Sequence, residues 1–152
     1  MNLYILNSVS SGWDVCELVS RQIPIAGYIG LSDKRNNADV SGYFNARNAC
    51  QKKKIPYYEV ASYNLSNEKD NQLLLTLDID ILLVSGWQRL VPEYLIEHCR
   101  VCIIGAHGSP LGITKGRGRS PQNWALMMGM PSFEISIFNR ARGEGRTTGV
   151  IV

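Results

Sequence analysis

The chain has 152 residues, of which 45% are hydrophobic and 19% are charged, and its net charge is +3. This is the length and composition of one soluble globular domain, which excludes a disordered chain, a collagen-like fibre and a coiled coil. No apolar run approaches the roughly 18 residues of a membrane span.

The apolar pattern alternates between short runs and helical spacing along the chain. It predicts strands at Leu3–Leu6, Ile25–Gly30, Tyr57–Val60, Asp80–Val84, Val101–Ile104 and Phe133–Phe138. It predicts helices at Trp13–Gln22, Phe44–Lys53, around Leu73–Leu77, Pro92–His98 and Pro121–Met128, with Val15, Leu18 and Val19 as the apolar face of the first. The aliphatic run Asp80–Val84 is typical of a strand that is buried on both faces. The glycine-rich segment Gly105–Ser120 is predicted to be a loop.

Strands that alternate with helices predict a single Rossmann-like α/β domain with a doubly wound, mainly parallel sheet. In such sheets ligands bind beyond the carboxyl ends of the strands, where the strand order reverses. This rule selects two loops, Ser85–Val91 and Gly105–Ser120. The second loop carries His107, one of only two histidines in the sequence.

The positive charge is concentrated near the C-terminus, because residues 105–152 carry six basic and two acidic side chains. The basic residues are Lys115, Arg117, Arg119, Arg140, Arg142 and Arg146. This end is suited to the phosphate groups of a nucleotide-linked substrate or of RNA. A solvated basic surface is the alternative interpretation.

Four cysteines and an N-terminus without a basic leader region predict free thiols in a reducing compartment, by default the cytoplasm. Cys99 and Cys102 form a C-x-x-C pair, but a second pair is absent and the motif precedes a strand. We therefore expect buried thiols and no metal site.

Two segments resemble a known signature. They are Gly105–Leu111, which reads GAHGSPL, and Gly116–Ala125, which reads GRGRSPQNWA. The 10-formyltetrahydrofolate-dependent formyltransferases carry the similar pattern N-x-H-x-S-L-L-P, a short spacer and R-G-x-x-P. Asp80–Pro92 also resembles the segment that holds the folate pterin in that family. The resemblance is specific from about Ile79 to Phe138, and it implies a formyltransferase fold over residues 1–152.

The resemblance implies that this domain transfers a formyl group from 10-formyltetrahydrofolate to a primary amine. His107 matches the family's catalytic histidine, which would shuttle the proton and stabilise the oxyanion. The cofactor-binding residues implied are Gly86, Gln88, Arg89, Leu90 and Val91. The substrate-binding residues implied are Ser109, Arg117, Gly118, Arg119 and Asn123. The segment Arg117–Trp124 is most similar to the amino-sugar branch, which indicates a nucleotide-linked amino sugar whose phosphates meet Arg117 and Arg119. A methionyl-tRNA formyltransferase-like enzyme is the alternative.

The sequence departs from the family pattern in three ways. Gly105 occupies the position of the family's asparagine, an oxyanion donor. The family's aspartate falls on Thr147 or near Gly145, and Glu144 is the only acid close by. Family members also continue beyond the position of Val152, so we expect a domain that is truncated at its C-terminus.

Three other interpretations are open, and the departures support the first. One is a catalytically impaired folate- or phosphate-binding module of the same fold. Another is a formyl-folate hydrolase that admits water in place of an amine. The third is an RNA partner that contacts Arg140–Arg146.

Overall fold

The computed structural model describes residues 1–33, 40–116, 120–141 and 150–151. Its strands are β1 (Leu3–Asn7), β2 (Ile25–Leu31), β3 (Tyr57–Val60), β4 (Ile81–Val84), β5 (Cys102–Ser109), β6 (Glu134–Ala141) and β7 (Val150–Ile151). Its helices are α1 (Ser10–Ser20), α2 (Arg47–Lys53), α3 (Glu68–Leu75), α4 (Glu93–His98), α5 (Gly112–Lys115) and α6 (Pro121–Met127).

The strands described form one sheet in the order β3-β2-β1-β4-β5-β6-β7. Strands β1 to β5 are mutually parallel, whereas β6 is antiparallel to β5 and β7 is antiparallel to β6. The doubly wound, mainly parallel sheet predicted from the sequence is therefore confirmed. The chain winds outwards from β1 to β3 and then returns to place β4 on the other side of β1. The strand order thus reverses between β1 and β4, and a ligand crevice is expected beyond their carboxyl ends.

Helices cover both faces of the sheet. On one face, Trp13 and Cys16 of α1 and Cys50 of α2 pack with Ile5 and Tyr28 of the central strands. On the other face, side chains of α3 and α4 pack with those of β1, β2, β4 and β5; they include Leu74, Leu95, Leu6, Ile29, Leu82 and Ile103. Full burial of one such aliphatic side chain contributes about 1.5–3 kcal/mol to the hydrophobic free energy of folding. Both clusters lie under β1 to β5, so α6 and β6 extend beyond the core.

The predicted apolar face of α1 is wrong. The buried residues of this helix are Gly12, Trp13 and Cys16, whereas Val15 is 36% exposed and Leu18 is 59% exposed. Gly12 and Cys16 are small, and this allows α1 to approach the sheet closely while Trp13 fills the space beside Tyr28, at 5.7 Å between ring centroids. Hydrophobicity alone predicted the wrong buried face of α1, because the contact between this helix and the sheet depends on the small residues Gly12 and Cys16.

Several element boundaries also differ from the prediction. Helix α2 begins at Arg47, three residues later than expected, and α1 begins at Ser10. In β4 only Leu82 is fully buried, so the strand is not buried on both faces along its length. Asp80, which was predicted to begin this strand, instead accepts hydrogen bonds from the backbone N–H of Asn2 and from Arg100, both at 2.6 Å.

The segment predicted as a loop, Gly105–Ser120, contains a strand and a helix. Strand β5 continues to Ser109, and α5 follows from Gly112. The parallel pairing with β4 ends at Gly105, but the antiparallel partner β6 continues to pair as far as Ser109. The residues from 106 to 109 are therefore extended because a strand distant in sequence supplies their hydrogen bonds.

All four cysteines are free thiols, and Cys16, Cys50 and Cys99 are buried. None of the helices in the described ranges is long and apolar enough to cross a membrane.

Candidate functional site

The carboxyl end of β1 is closed by Asn7, whose side chain is fully buried. Its amide oxygen accepts the backbone N–H of Val9 at 2.9 Å, and its amide nitrogen donates to the Val9 carbonyl at 2.9 Å and to the Tyr28 hydroxyl. A side chain that bonds both backbone groups of the residue two positions later fixes a tight turn. The turn leads directly into α1 at the edge of the crevice.

Gly86 brings the loop after β4 against this turn. Its carbonyl oxygen accepts hydrogen bonds from the Ser8 hydroxyl at 3.0 Å and from the Ser8 N–H at 3.4 Å. Its φ of +77° favours glycine, and a Cβ would overlap Asn7 and Val9. Gly86 therefore joins two loops across the point where the strand order reverses.

The remaining predicted folate-binding residues have different surroundings. Gln88, Arg89 and Leu90 are exposed at the loop tip, and Leu90 is 92% exposed. Val91 is half-buried and packs on the core. The backbone N–H groups of Arg89 and Leu90 form no hydrogen bond with another described residue. The tip thus presents free backbone donors next to an apolar side chain.

The sequence analysis did not identify Tyr63, which lies between β3 and α3 and contacts this loop. Its hydroxyl accepts the backbone N–H of Gln88 at 3.0 Å, and its ring meets Trp87 edge-on at 4.9 Å between centroids. The guanidinium of Arg89 lies 5.2 Å from the centre of the same ring. The available signal was its position after a strand, because all parallel strands end at the same edge of the sheet.

His107 lies within β5, two residues beyond the last pair between β4 and β5, Val84 with Gly105. The prediction that His107 follows the end of its strand is wrong, because β5 continues to Ser109. His107 nevertheless lies beyond the part of β5 that pairs with the parallel strand β4. The imidazole is half-buried, and its Nε2 is 2.8 Å from the carbonyl oxygen of Gly116. Because a carbonyl oxygen only accepts hydrogen bonds, this contact assigns the proton to Nε2. In the neutral ring, Nδ1 then carries the lone pair that can accept a proton.

Gly105 faces the ring of Phe138 on the neighbouring strand β6. A Cβ at this position would lie 2.6 Å from Cζ of Phe138. The position of the family's asparagine is therefore closed to any side chain unless Phe138 moves. The glycine and the phenylalanine fit each other across the two strands, which pair Gly105 directly with Phe138.

A cleft of about 290 Å³ lies beside the end of β5. Its lining residues come from β5, α5, α6 and their connections; they are Ser109, Pro110, Leu111, Lys115, Gly116, Pro121, Trp124, Ala125, Met128 and Met130. The Ser109 hydroxyl is buried and accepts the Leu111 N–H at 3.1 Å. A Cβ at Gly116 would overlap that hydroxyl, so the glycine allows α5 to close against the strand.

Of the two predicted substrate-binding residues that the structure describes, Ser109 lines the cleft. Asn123 is exposed on α6 and is not one of the lining residues, so the structure does not bring the two together at the cleft. Arg117, Gly118 and Arg119 lie outside the described residues, as do Gly145, Thr147 and Glu144. No three metal-ligating side chains cluster anywhere in the described ranges. The roles of all these residues stay predictions.

No protein-family profile matches the chain. Over 80 residues it is 32% identical to methionyl-tRNA formyltransferase of Colwellia psychrerythraea, which covers 53% of this chain and 24% of that protein. The aligned part of the chain thus spans about a quarter of that relative.

Two solved structures are similar over nearly all of this chain. Glycinamide ribonucleotide transformylase 1 from Symbiobacterium toebii has a TM-score of 0.71 at 16% identity, covering 100% of this chain and 71% of that one. Phosphoribosylglycinamide formyltransferase from Anaplasma phagocytophilum has a TM-score of 0.65 at 20% identity, covering 97% and 69%.

A formyltetrahydrofolate deformylase from Pseudomonas syringae pv. tomato has a TM-score of 0.67 at 18% identity, covering 99% of this chain and 49% of that one. The fold is therefore the formyltransferase fold, and the resemblance predicted from the sequence is confirmed. This sequence similarity is to the methionyl-tRNA enzyme, whereas these structural similarities are to the ribonucleotide enzymes and the deformylase.

Proposed function

We propose that this domain transfers a formyl group from 10-formyltetrahydrofolate to a primary amine. The observation that supports it best is the placement of His107, which lies beyond the parallel part of β5 and is hydrogen-bonded to Gly116, one of the residues that line the cleft. The formyltransferase fold and the similarity to methionyl-tRNA formyltransferase support the same reaction.

The loop between β4 and α4 suits a folate. A pterin presents an aromatic face and hydrogen-bonding edges, which suit an apolar wall and free backbone groups. Leu90 provides an exposed apolar side chain, and the N–H groups of Arg89 and Leu90 have no described partner. When bound, the folate supplies an activated formyl group.

The role we assign to His107 is proton transfer. As the amine forms its new C–N bond it must lose a proton, and the Nδ1 lone pair of His107 accepts it. The hydrogen bond from Nε2 to Gly116 remains and stabilises the imidazolium. The proton then returns to the nitrogen from which the formyl group departs, so the histidine is regenerated.

For the acceptor we propose a nucleotide-linked amino sugar. The segment Arg117–Trp124 resembles that branch, and Lys115 places a cation at the cleft. The competing acceptor is methionyl-tRNA, which the 32% identity over 80 residues favours.

A second candidate function is a folate-binding module without turnover. The contact of Gly105 with Phe138 favours it, because a side-chain donor fits at the position of the family's asparagine only if the Phe138 ring moves. Loss of one oxyanion donor costs about a hundredfold to a thousandfold in rate.

The two candidates are separated by comparing the chain with two matched variants, His107→Asn and His98→Asn. Both histidines donate to a backbone carbonyl through Nε2, at 2.8 Å and 2.7 Å. We expect formyl transfer to fall about a hundredfold to ten-thousandfold in His107→Asn, with the folate Kd unchanged, and to persist in His98→Asn.

Each outcome has one meaning. Folate binding without transfer to any amine would establish the module and contradict the transferase. Formate release without an amine would indicate hydrolysis. Absence of saturable folate binding would refute both candidates.

A further inference from the structure

Tyr63 contacts three consecutive residues of the loop that follows β4. The hydroxyl binds the N–H of Gln88, the ring packs edge-on against Trp87, and the guanidinium of Arg89 lies over the ring. The Ser8 hydroxyl also lies 3.5 Å from the Tyr63 hydroxyl. The tyrosine therefore touches both loops at the point where the strand order reverses.

The segment that carries Tyr63 is itself held firmly. The buried carboxylate of Asp70 accepts the backbone N–H of Ala61 at 2.9 Å and that of Ser62 at 2.7 Å. Asn67 caps the start of α3 by accepting the Asp70 N–H at 2.8 Å. Charge-assisted bonds of this kind are stronger than neutral ones, so the backbone beside Tyr63 is a fixed support.

The loop tip, by contrast, has few attachments of its own. Trp87 is 7% exposed and anchors the start of the loop in the core, but its indole N–H has no described partner. Of the exposed tip residues, Gln88 forms the one described backbone hydrogen bond, and it forms it to Tyr63. Without that bond the tip would be held mainly by Trp87 and Val91, which pack in the core on either side of it.

We propose that Tyr63 is a positioning residue that fixes the conformation in which the loop Gly86–Val91 binds formyl-folate. This inference rests on the proposed function. A ligand that binds through the free N–H groups of Arg89 and Leu90 needs them in a defined direction. The Tyr63 hydroxyl sets this direction by holding the adjacent peptide unit at Gln88.

The test is the variant Tyr63→Phe, which removes the hydroxyl and keeps the ring. Loss of one neutral hydrogen bond corresponds to roughly a fivefold change in binding, or about 1 kcal/mol. We expect KM for formyl-folate to rise roughly fivefold, while kcat and its pH profile stay unchanged. Amide exchange measured by NMR should show the Gln88 N–H falling to the level of the unbonded Arg89 N–H.

The matched control is Tyr94→Phe, which removes a hydroxyl that donates to the Leu65 carbonyl at 3.0 Å. This hydroxyl has no described contact with the loop, so KM should not change. If both variants alter KM and kcat in proportion to the loss in Tm, Tyr63 has only a structural role. If Tyr63→Phe loses protection at Gln88 but keeps the wild-type KM, the positioning role is refuted.

The amide exchange does not depend on folate, so it separates two kinds of failure. A wild-type chain that shows no folate binding refutes the proposed function and with it the positioning role. Gln88 protection that is equal in wild type and Tyr63→Phe refutes the hydrogen bond itself, whatever the chain binds.

Discussion

Gly12→Ala tests whether the close packing of α1 against the loops that follow β1 and β4 affects stability more than helix propensity does. Gly12 is a buried residue in the first turn of α1, and alanine is about 1 kcal/mol more favourable than glycine inside a helix. A Cβ at this position would, however, overlap the Asn7 amide and the backbone carbonyl of Ser85. Propensity alone therefore predicts a stabilised variant, whereas the packing predicts the opposite.

The magnitude follows from which atoms must move. The Asn7 side chain is fixed by hydrogen bonds to Val9 and Tyr28. Ser85 directly follows β4 and donates its N–H to the Leu6 carbonyl at 3.1 Å. Overpacking against rigid neighbours costs typically 1–3 kcal/mol, and the upper end applies because one neighbour is backbone. The net loss after the propensity gain is about 2 kcal/mol, or roughly 4–8 °C in Tm for a domain of this size.

The assay is urea and thermal unfolding followed by circular dichroism. The control is Ser11→Ala at the neighbouring exposed position, which should change stability by less than about 0.5 kcal/mol. A Gly12→Ala variant that is as stable as wild type, or more stable, would show that α1 moves freely over the sheet. The packing argument would then be wrong.

Three other predictions follow from single contacts. Gly105→Asn should lower the free energy of unfolding in urea by about 1–3 kcal/mol, because the new side chain overlaps the Phe138 ring. Adding Phe138→Ala should restore stability by opening that space. A single variant as stable as wild type would contradict the close contact between Gly105 and Phe138. The hydrogen bond from Arg100, then that from the Asn2 N–H, holds the pKa of Asp80 below its usual range. The ionised carboxylate of Asp80 therefore stabilises the fold fully at pH values above its unfolded pKa, which is near 4. This stabilisation is lost as the pH falls through the lower pKa of the folded state. Asp80→Asn should therefore flatten the acidic part of a plot of Tm against pH. Burial raises the pKa of Cys99 to about 12, so mass spectrometry should show this thiol unmodified by a disulfide reagent at pH 8 until urea unfolds the chain.

The sequence determined the class of fold through local patterns. Short aliphatic runs that alternate with helical spacing predicted a mainly parallel sheet, and the strand predicted at Tyr57–Val60 has the observed bounds of β3. The motif around His107 indicated this histidine as the candidate catalytic residue from the sequence alone. Both signals are local, because each depends on residues within about twenty positions along the chain.

Tertiary structure decided what depends on partners distant in sequence. Strand β5 runs through Gly105–Ser109 because β6, about 25 residues later, pairs with it, so a glycine-rich segment became a strand. The buried side of α1 was decided by small residues against the sheet, which hydrophobicity did not reveal.

The residues of the candidate site also fall into these two groups, those that the sequence indicates and those that only the tertiary structure brings together. Gly86 and His107 could be selected by motif, but Tyr63 could not, because its contacts with the loop after β4 arise only when the carboxyl ends of β3 and β4 reach the same edge. The physical reason is that backbone pairing and close packing join segments far apart in the chain. Composition and periodicity describe only what each segment prefers by itself.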